Sequence, residues 1–393
     1  MEVLLVTLGF LIIYTYFGYG ILLKVLLLLR RKVNLQKRFN YLPKVTLLIA
    51  AYNEEDIIKD KIMNTLKLEY PKDRLKIVFV TDGSTDRTTE IIKAFPQLHL
   101  EHRMERKGKI HAVNRVMPQV KSPVTIFSDA NVMLNEKALL YLVQPFSRPE
   151  IGAVSGEKQV WSSTKDMASA AGEGIYWRYE SKVKQMEADY YTLIGAAGEL
   201  FAIRTKLYES LNEDTVIEDF ALTLNIAIKG YKVAYEPRSV ALETSSASMQ
   251  EEEKRKIRIS YGGLQAITRF KSLLNIFKWK KLSFLYISHR VLRWTITPLS
   301  LPFAFILNMM LINSSIFWNA LFAAQVTFYV LAAFGAMMQN WKIKYKPLFI
   351  PYYFTFMNVC VYKGWLRFIM KSQSVVWDKA KRASGETFSV QQH

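Results

Sequence analysis

The chain has 393 residues, half of them apolar, with 53 Lys and Arg against 34 Asp and Glu for a net charge of +19. That length holds one sizeable globular core plus several membrane spans and excludes a single small module. The charge lies apart from long apolar runs at both ends, which favours an anionic membrane face or an anionic substrate over nucleic acid, and the single cysteine, Cys360, excludes an internal disulfide framework and fits a reducing cytosol.

Residues 3–29 are almost uncharged, broken only by Lys24, and exceed the ~20 residues that cross a bilayer. The basic cluster Arg30, Arg31 and Lys32 follows this run. The order predicts a transmembrane helix within 1–30 with cytoplasmic chain after it, and not a cleaved signal peptide. Residues 43–249 are expected to form a cytoplasmic α/β domain. Short buried strand patterns at 45–50, 75–80, 124–127 and 152–155 alternate there with helix-like segments at 53–68 and 86–95, the second capped by Ser84 and Asp86. From 250 to 290, clustered Lys and Arg mix with large apolar residues, as in Phe277-Lys278-Trp279-Lys280-Lys281, which predicts basic amphipathic helices in the membrane interface.

The region 291–368 is expected to hold further spans, at 291–312 and 316–338. A shorter run, 347–361, carries Pro347 and Pro351 and reads as a bent span or a re-entrant segment. One N-terminal and three C-terminal spans would put the tail, 369–393, outside, yet it carries Lys371, Lys379, Lys381 and Arg382; its charge favours the cytoplasm. The expected location is therefore integral to a plasma membrane of bacterial type.

Three strand patterns end in acidic groups: Ala51-Tyr52-Asn53-Glu54-Glu55, Thr81-Asp82-Gly83-Ser84-Thr85-Asp86 and Ser128-Asp129-Ala130-Asn131. In open α/β sheets the carboxyl ends of the strands form the ligand edge. Residues 82–86 alone read equally well as a turn and helix cap, whereas three such endings at one edge point to a ligand.

On these motifs the sequence resembles the family 2 glycosyltransferases, and within them the membrane-bound hyaluronan, chitin and cellulose synthases, over about residues 43–263. The resemblance implies an α/β catalytic domain of GT-A fold, a mixed sheet flanked by helices that binds a nucleotide-sugar. It implies that Tyr52, Glu54 and Asp82 hold the uracil and ribose of a UDP-sugar and that Lys109 lies by the nucleotide. Asp129 and Asn131 stand at the family's Asp-x-Asp position, where Mg²⁺ or Mn²⁺ meets the diphosphate; Asn131 adds no charge and otherwise reads as a cap for the next helix. Gly195, Gly198 and Glu199 match the acceptor floor, or form a tight packing turn. Glu218-Asp219 matches the end of Thr-Glu-Asp, implying Asp219 as general base with Glu218 orienting it or the acceptor; the plain alternative is an exposed acidic pair.

The family's Gln-x-x-Arg-Trp is replaced by Arg255-Lys256-Ile257-Arg258-Ile259, which keeps Arg258 for the diphosphate and loses the tryptophan at the acceptor mouth. The implied activity is inverting, metal-assisted transfer to a glycan acceptor in polysaccharide or cell-surface glycan synthesis. The alternative is single addition to a membrane lipid or lipid-linked glycan, which the missing tryptophan favours unless Tyr261 takes over its stacking. A non-catalytic scaffold is opposed by the retained Asp82, Asp129 and Asp219.

Overall fold

The computed structural model describes residues 1–30, 41–161, 167–244, 246, 248–340 and 346–372. Its strands are β1 Val45–Ala51, β2 Leu75–Asp82, β3 His99–Arg103, β4 Val124–Asp129, β5 Val132–Leu134, β6 Ile151–Trp161, β7 Leu200–Arg204 and β8 Lys232–Thr244. They form one mixed sheet in the order β3-β2-β1-β4-β7-β6-β8-β5. The helices of this region are α2 Ile58–Leu66, α3 Thr88–Lys93, α4 Lys109–Val116, α5 Ala138–Val143, α6 Met167–Tyr190 and α7 Glu218–Ile228. An N-terminal helix α1, Glu2–Leu28, precedes them and α8, Met249–Arg269, follows.

The apolar run of β1 reflects cover on both faces: Leu47 and Ile49 join Ile58 and Ile62 of α2 in one core, while Leu48 joins Ala112 and Val116 of α4 in another. β1 lies parallel between β2 and β4, with Ala51 opposite Thr81 and Ala50 opposite Asp129. This register brings Tyr52, Asp82 and Asp129 to one sheet edge, beside the point where the strand order reverses.

Several boundaries differ from the sequence reading for local reasons. The expected helix 53–68 begins only at Ile58, because Asn53 takes a φ of 51° and its side chain bonds Thr85 across the strand ends. Asp86 does accept from the N–H of Thr88 at 3.0 Å, but Ser84 accepts from Asn53 instead of capping α3.

Helix α1 and the segment Ile316–Met338 are each long and apolar enough to cross a bilayer. The run 291–312 is broken at Thr295, with φ −127° and ψ −93°, leaving a helix of 15 residues, Ile296–Met310, shorter than the ~20 a span needs. The run 347–361 lies inside one helix, Lys346–Ile369, that continues through Pro351. Segments 31–40 and 373–393, with most of the basic residues used to orient the chain, lie outside the described residues.

Candidate active site

The donor side is built from a loop hung on Asp82. Its carboxylate accepts from the backbone N–H groups of Lys107, at 3.1 and 3.2 Å, and Gly108, at 2.5 Å. Gly108, with a φ of 98°, then starts α4 with Lys109 as its first residue. The Lys109 ammonium lies 2.6 Å from Asp129 Oδ1 and 2.6 Å from Glu218 Oε1. Burial alone would lower the Lys109 pKa; the two carboxylates outweigh it and raise it, so the group stays an ammonium. On the same loop Arg106 stacks 3.9 Å over the ring of Tyr52. Glu54 is buried, its N–H donating to Thr88 Oγ1 at 2.7 Å.

Helix α7 opens with Glu218 and Asp219 in its first turn, at the electropositive end of the helix. Burial costs Glu218 less than Lys109 and Arg258 return, which holds its pKa low. Among the described residues no cation is ion-paired to Asp219, and the more distant pull of Lys109 is outweighed. Burial first, then the charges of Glu218 and Glu199, push it up to about 7, which suits a carboxylate that must accept a proton near neutral pH. Gly198 passes so close that a Cβ there would lie 3.2 Å from Asp219 Oδ2, while Gly195 needs its φ of 85°. The small residues between them are fixed by Ala197 N–H donating to Ser155 and Ala196 N–H donating to Thr223.

Two residues of this site escaped the sequence reading. Lys158 on β6 is buried and hydrogen-bonds both Glu199 and Glu243 of β8. Against the cost of burial, Lys158 and Arg255 hold Glu199 well below the usual carboxylate range. Asn131 turns its amide nitrogen toward Glu243 at 3.4 Å; its amide oxygen is of the type that can coordinate a cation. Behind this motif Lys61 of α2 donates to Ser128 Oγ and to the carbonyl of Val132, pinning both sides of Asp129-Ala130-Asn131. Burial lowers its pKa to about 7. The signal for Lys61 and Lys158 was a charge at an otherwise buried position of a helix or strand.

A cavity of about 1160 Å³ is lined by Lys109, Asp129, Asn131, Gly195, Gly198, Glu199, Glu218, Asp219 and Arg258. Tyr52, Glu54 and Asp82 lie beyond its lining, at the ends of β1 and β2. Arg258 donates to the carbonyl of Val216 at 3.1 Å, beside the Glu218 turn. Tyr261, the ring that would replace the missing tryptophan, faces Phe368 instead, 5.5 Å between centroids and outside the lining. Ile259 packs at the edge of the cluster that contains Phe220 and Trp294.

For a divalent cation the described residues offer no group of three or more His, Cys, Asp or Glu side chains. The set of one carboxylate, Asp129, and one amide oxygen, Asn131, fits a hard cation that takes its other oxygens from a diphosphate and water.

Residues 43–262 match the family profile described as glycosyltransferase like family 2. The chain belongs to that family. The poly-beta-1,6-N-acetyl-D-glucosamine synthase of Staphylococcus aureus strain MSSA476 is 26% identical over 236 residues, which cover 57% of this chain and 56% of that protein. The synthase of the same name from Staphylococcus epidermidis is 27% identical over 254 residues, covering 62% of this chain and 59% of the relative. The match thus spans under two thirds of either relative. In three dimensions the mannosyltransferase PcManGT from Pyrobaculum calidifontis, solved in complex with GDP-Man and Mn²⁺, aligns with a TM-score of 0.72 over 95% of this chain and 99% of its own, at 21% identity. The mixed sheet flanked by helices is the GT-A fold, and the chain is a glycosyltransferase.

Proposed function

We propose that this enzyme sits in a membrane and transfers a sugar, with inversion, from a nucleoside diphosphate sugar to an acceptor anchored in the bilayer. The observation that carries this reading is the lining of the cavity. The same cavity that holds Asp129, Lys109 and Asp219 is also lined by Tyr16 and Phe17 of α1 and by Phe349, Ile350 and Phe354 of the helix Lys346–Ile369. Phe17 and Ile350 are 65% and 57% exposed, and α1 is long and apolar enough to cross a bilayer, which supports access for an acceptor carried on an apolar chain.

In this reading Asp219 takes the proton of an acceptor hydroxyl as its oxygen bonds to the anomeric carbon. The bond to the diphosphate breaks on the opposite side and the diphosphate leaves with the electron pair. Lys109 and Arg258 hold the leaving charge, Arg258 as a planar fork that stays charged. Asp129 and Asn131 would hold Mg²⁺ or Mn²⁺, whose chemistry is neutralisation of the diphosphate. Glu218 steadies Lys109, and Gly195, Gly198 and Glu199 form the floor for the acceptor. The resemblance to uracil-binding relatives points to a UDP-sugar, while PcManGT was solved with GDP-Man, so both donors enter the test.

A second reading, elongation of a polysaccharide, is favoured by the 26% identity to a poly-beta-1,6-N-acetyl-D-glucosamine synthase. Ile259, which offers no flat face for a sliding sugar chain, weighs against it. The deciding experiment incubates the full chain in lipid with each labelled UDP- or GDP-sugar and sizes the products at limiting donor. A narrow ladder beginning at one added sugar on a lipid-extractable acceptor is expected. High-mass polymer beside unused acceptor refutes single addition and supports the second reading.

A further inference from the structure

The loop that enters α4 places cations over both halves of the donor edge. Arg106 covers Tyr52, the ring expected to meet the base, and Lys109 bridges Asp129 and Glu218. The loop is held in that position: Asp82 grips its N–H groups, and a Cβ on Gly83 would lie 2.7 Å from Arg106 Cβ. Lys109 and Asp129 are largely shielded from solvent, with side chains 14% and 22% exposed, so water screens their attraction weakly.

A divalent cation depends here on one carboxylate, and that carboxylate already carries an ammonium within hydrogen-bond distance. A cation that approaches alone must separate the pair and then sit beside the displaced positive charge. A diphosphate changes both conditions. Its oxygens accept the ammonium, and they supply the ligands that one carboxylate and one amide cannot.

Building on the reading of Asp129 as the metal-side carboxylate, we propose that Lys109 is a built-in cation that guards Asp129 until the diphosphate arrives. A divalent ion then binds with the nucleotide or after it, not before. When the diphosphate enters, the ammonium exchanges its contact with Asp129 for phosphate oxygens and keeps Glu218 as its anchor. The empty enzyme thereby carries no metal bound at a site that lacks its substrate. The same contact makes Lys109 a positioning residue for the metal in addition to a ligand of the donor.

The test measures Mn²⁺ binding, by the electron paramagnetic resonance signal of free Mn²⁺, to the full chain in nanodiscs with and without UDP or GDP. Wild type should bind Mn²⁺ weakly without nucleotide. Lys109→Met, which keeps the reach and removes the charge, should bind nucleotide-free Mn²⁺ about tenfold to a hundredfold more tightly, the range of one charge-assisted hydrogen bond in a shielded place. Lys109→Arg should stay near wild type. Lys109→Gln gives a second measurement should the methionine variant fail to fold, as judged by its melting curve. Equal nucleotide-free affinity in wild type and the uncharged variants overturns the proposal, as does wild-type binding that is equally tight with and without either nucleotide. Adding Asp129→Asn separates the two readings: Mn²⁺ binding that survives it puts the metal elsewhere and removes the assignment of Asp129, whatever Lys109 does.

Discussion

Replacing Glu218 by Gln should move the pH dependence of catalysis to lower pH without removing the base. Asp219 titrates at about 7 in place of 3.8, with burial the largest cause and Glu218 the next. Glu218 is thus the second of three raising causes, and its removal should lower the midpoint by roughly one pH unit, ~1.4 kcal/mol of proton affinity. The loss of its partner leaves Lys109 still paired to Asp129, a positive charge that pulls Asp219 the same way. The assay is kcat at saturating donor and acceptor from about pH 5 to about pH 9. In wild type the rate should rise as Asp219 loses its proton near pH 7, and in Glu218→Gln the same limb should appear about one unit lower. An unmoved limb, or one shifted upward, refutes the electrostatic argument. Complete loss of rate across the range instead makes Glu218 the base and Asp219 its neighbour.

Asp219→Asn should cut transfer by about 10²- to 10⁴-fold while donor affinity changes little, since proton removal belongs to the transition state; wild-type turnover in that variant would remove Asp219 from the mechanism. The same variant should be more stable than wild type, and more so in base. With the folded pKa of Asp219 near 7 and the unfolded one near 4, the folded chain binds the extra proton between them, and stability is lost as pH rises through that window. The gain in Tm should therefore be larger at about pH 8 than at about pH 5, and equal gains would contradict the assignment. Gly198→Ala sets a methyl 3.2 Å from Asp219 Oδ2, so the carboxylate must yield by a few tenths of an ångström; kcat should fall roughly tenfold with donor KM unchanged, and an unaltered kcat would show that the floor has room to spare.

The convergence of the three strand ends on one edge was legible in the sequence because its physics is local. β1, β2 and β4 are short apolar strands followed at once by polar residues, and neighbouring parallel strands must end at the same edge. What it could not carry were partnerships across the sheet. Lys158, Glu199 and Glu243 come from β6, the approach to β7, and β8, and nothing in their spacing says that one ammonium will serve both acids. Lys61 is a charge among Ile58, Ile62 and Thr65 on the buried face of a helix, and its targets lie on β4 and β5, which helix periodicity does not reveal. The break at Thr295 was hidden in a run that is mostly apolar, because hydropathy records composition and not backbone angle. Tyr261 was misplaced by proximity in sequence: two positions along a helix rotate a side chain by more than half a turn, which carries it away from the cavity to Phe368.

The turn that leads into Gly195 is fastened to α1 and to the segment from His289 to Arg293 by buried charge as well as by apolar packing. Tyr19 of α1 donates to Glu187 at 2.6 Å, and the same carboxylate oxygen lies 2.7 Å from His289 Nδ1. His289 is fully buried, with Nε2 3.1 Å from Glu180, which also pairs with Arg290 and Arg293 at 3.1 and 2.9 Å. Both backbone groups of Ile194 are taken by this network: its carbonyl accepts from Arg290 and its N–H donates to Glu187. Ile194 immediately precedes Gly195, so the first residue of the floor is positioned by groups that also hold α1 and the segment from His289 to Arg293. Removing one partner from such a network leaves a buried charge uncompensated, at a cost of about 3–5 kcal/mol. A shift of the floor relative to these helices meets that penalty. The helices that carry Tyr19 and His289 thus position Gly195 through Ile194 as well as packing beside it.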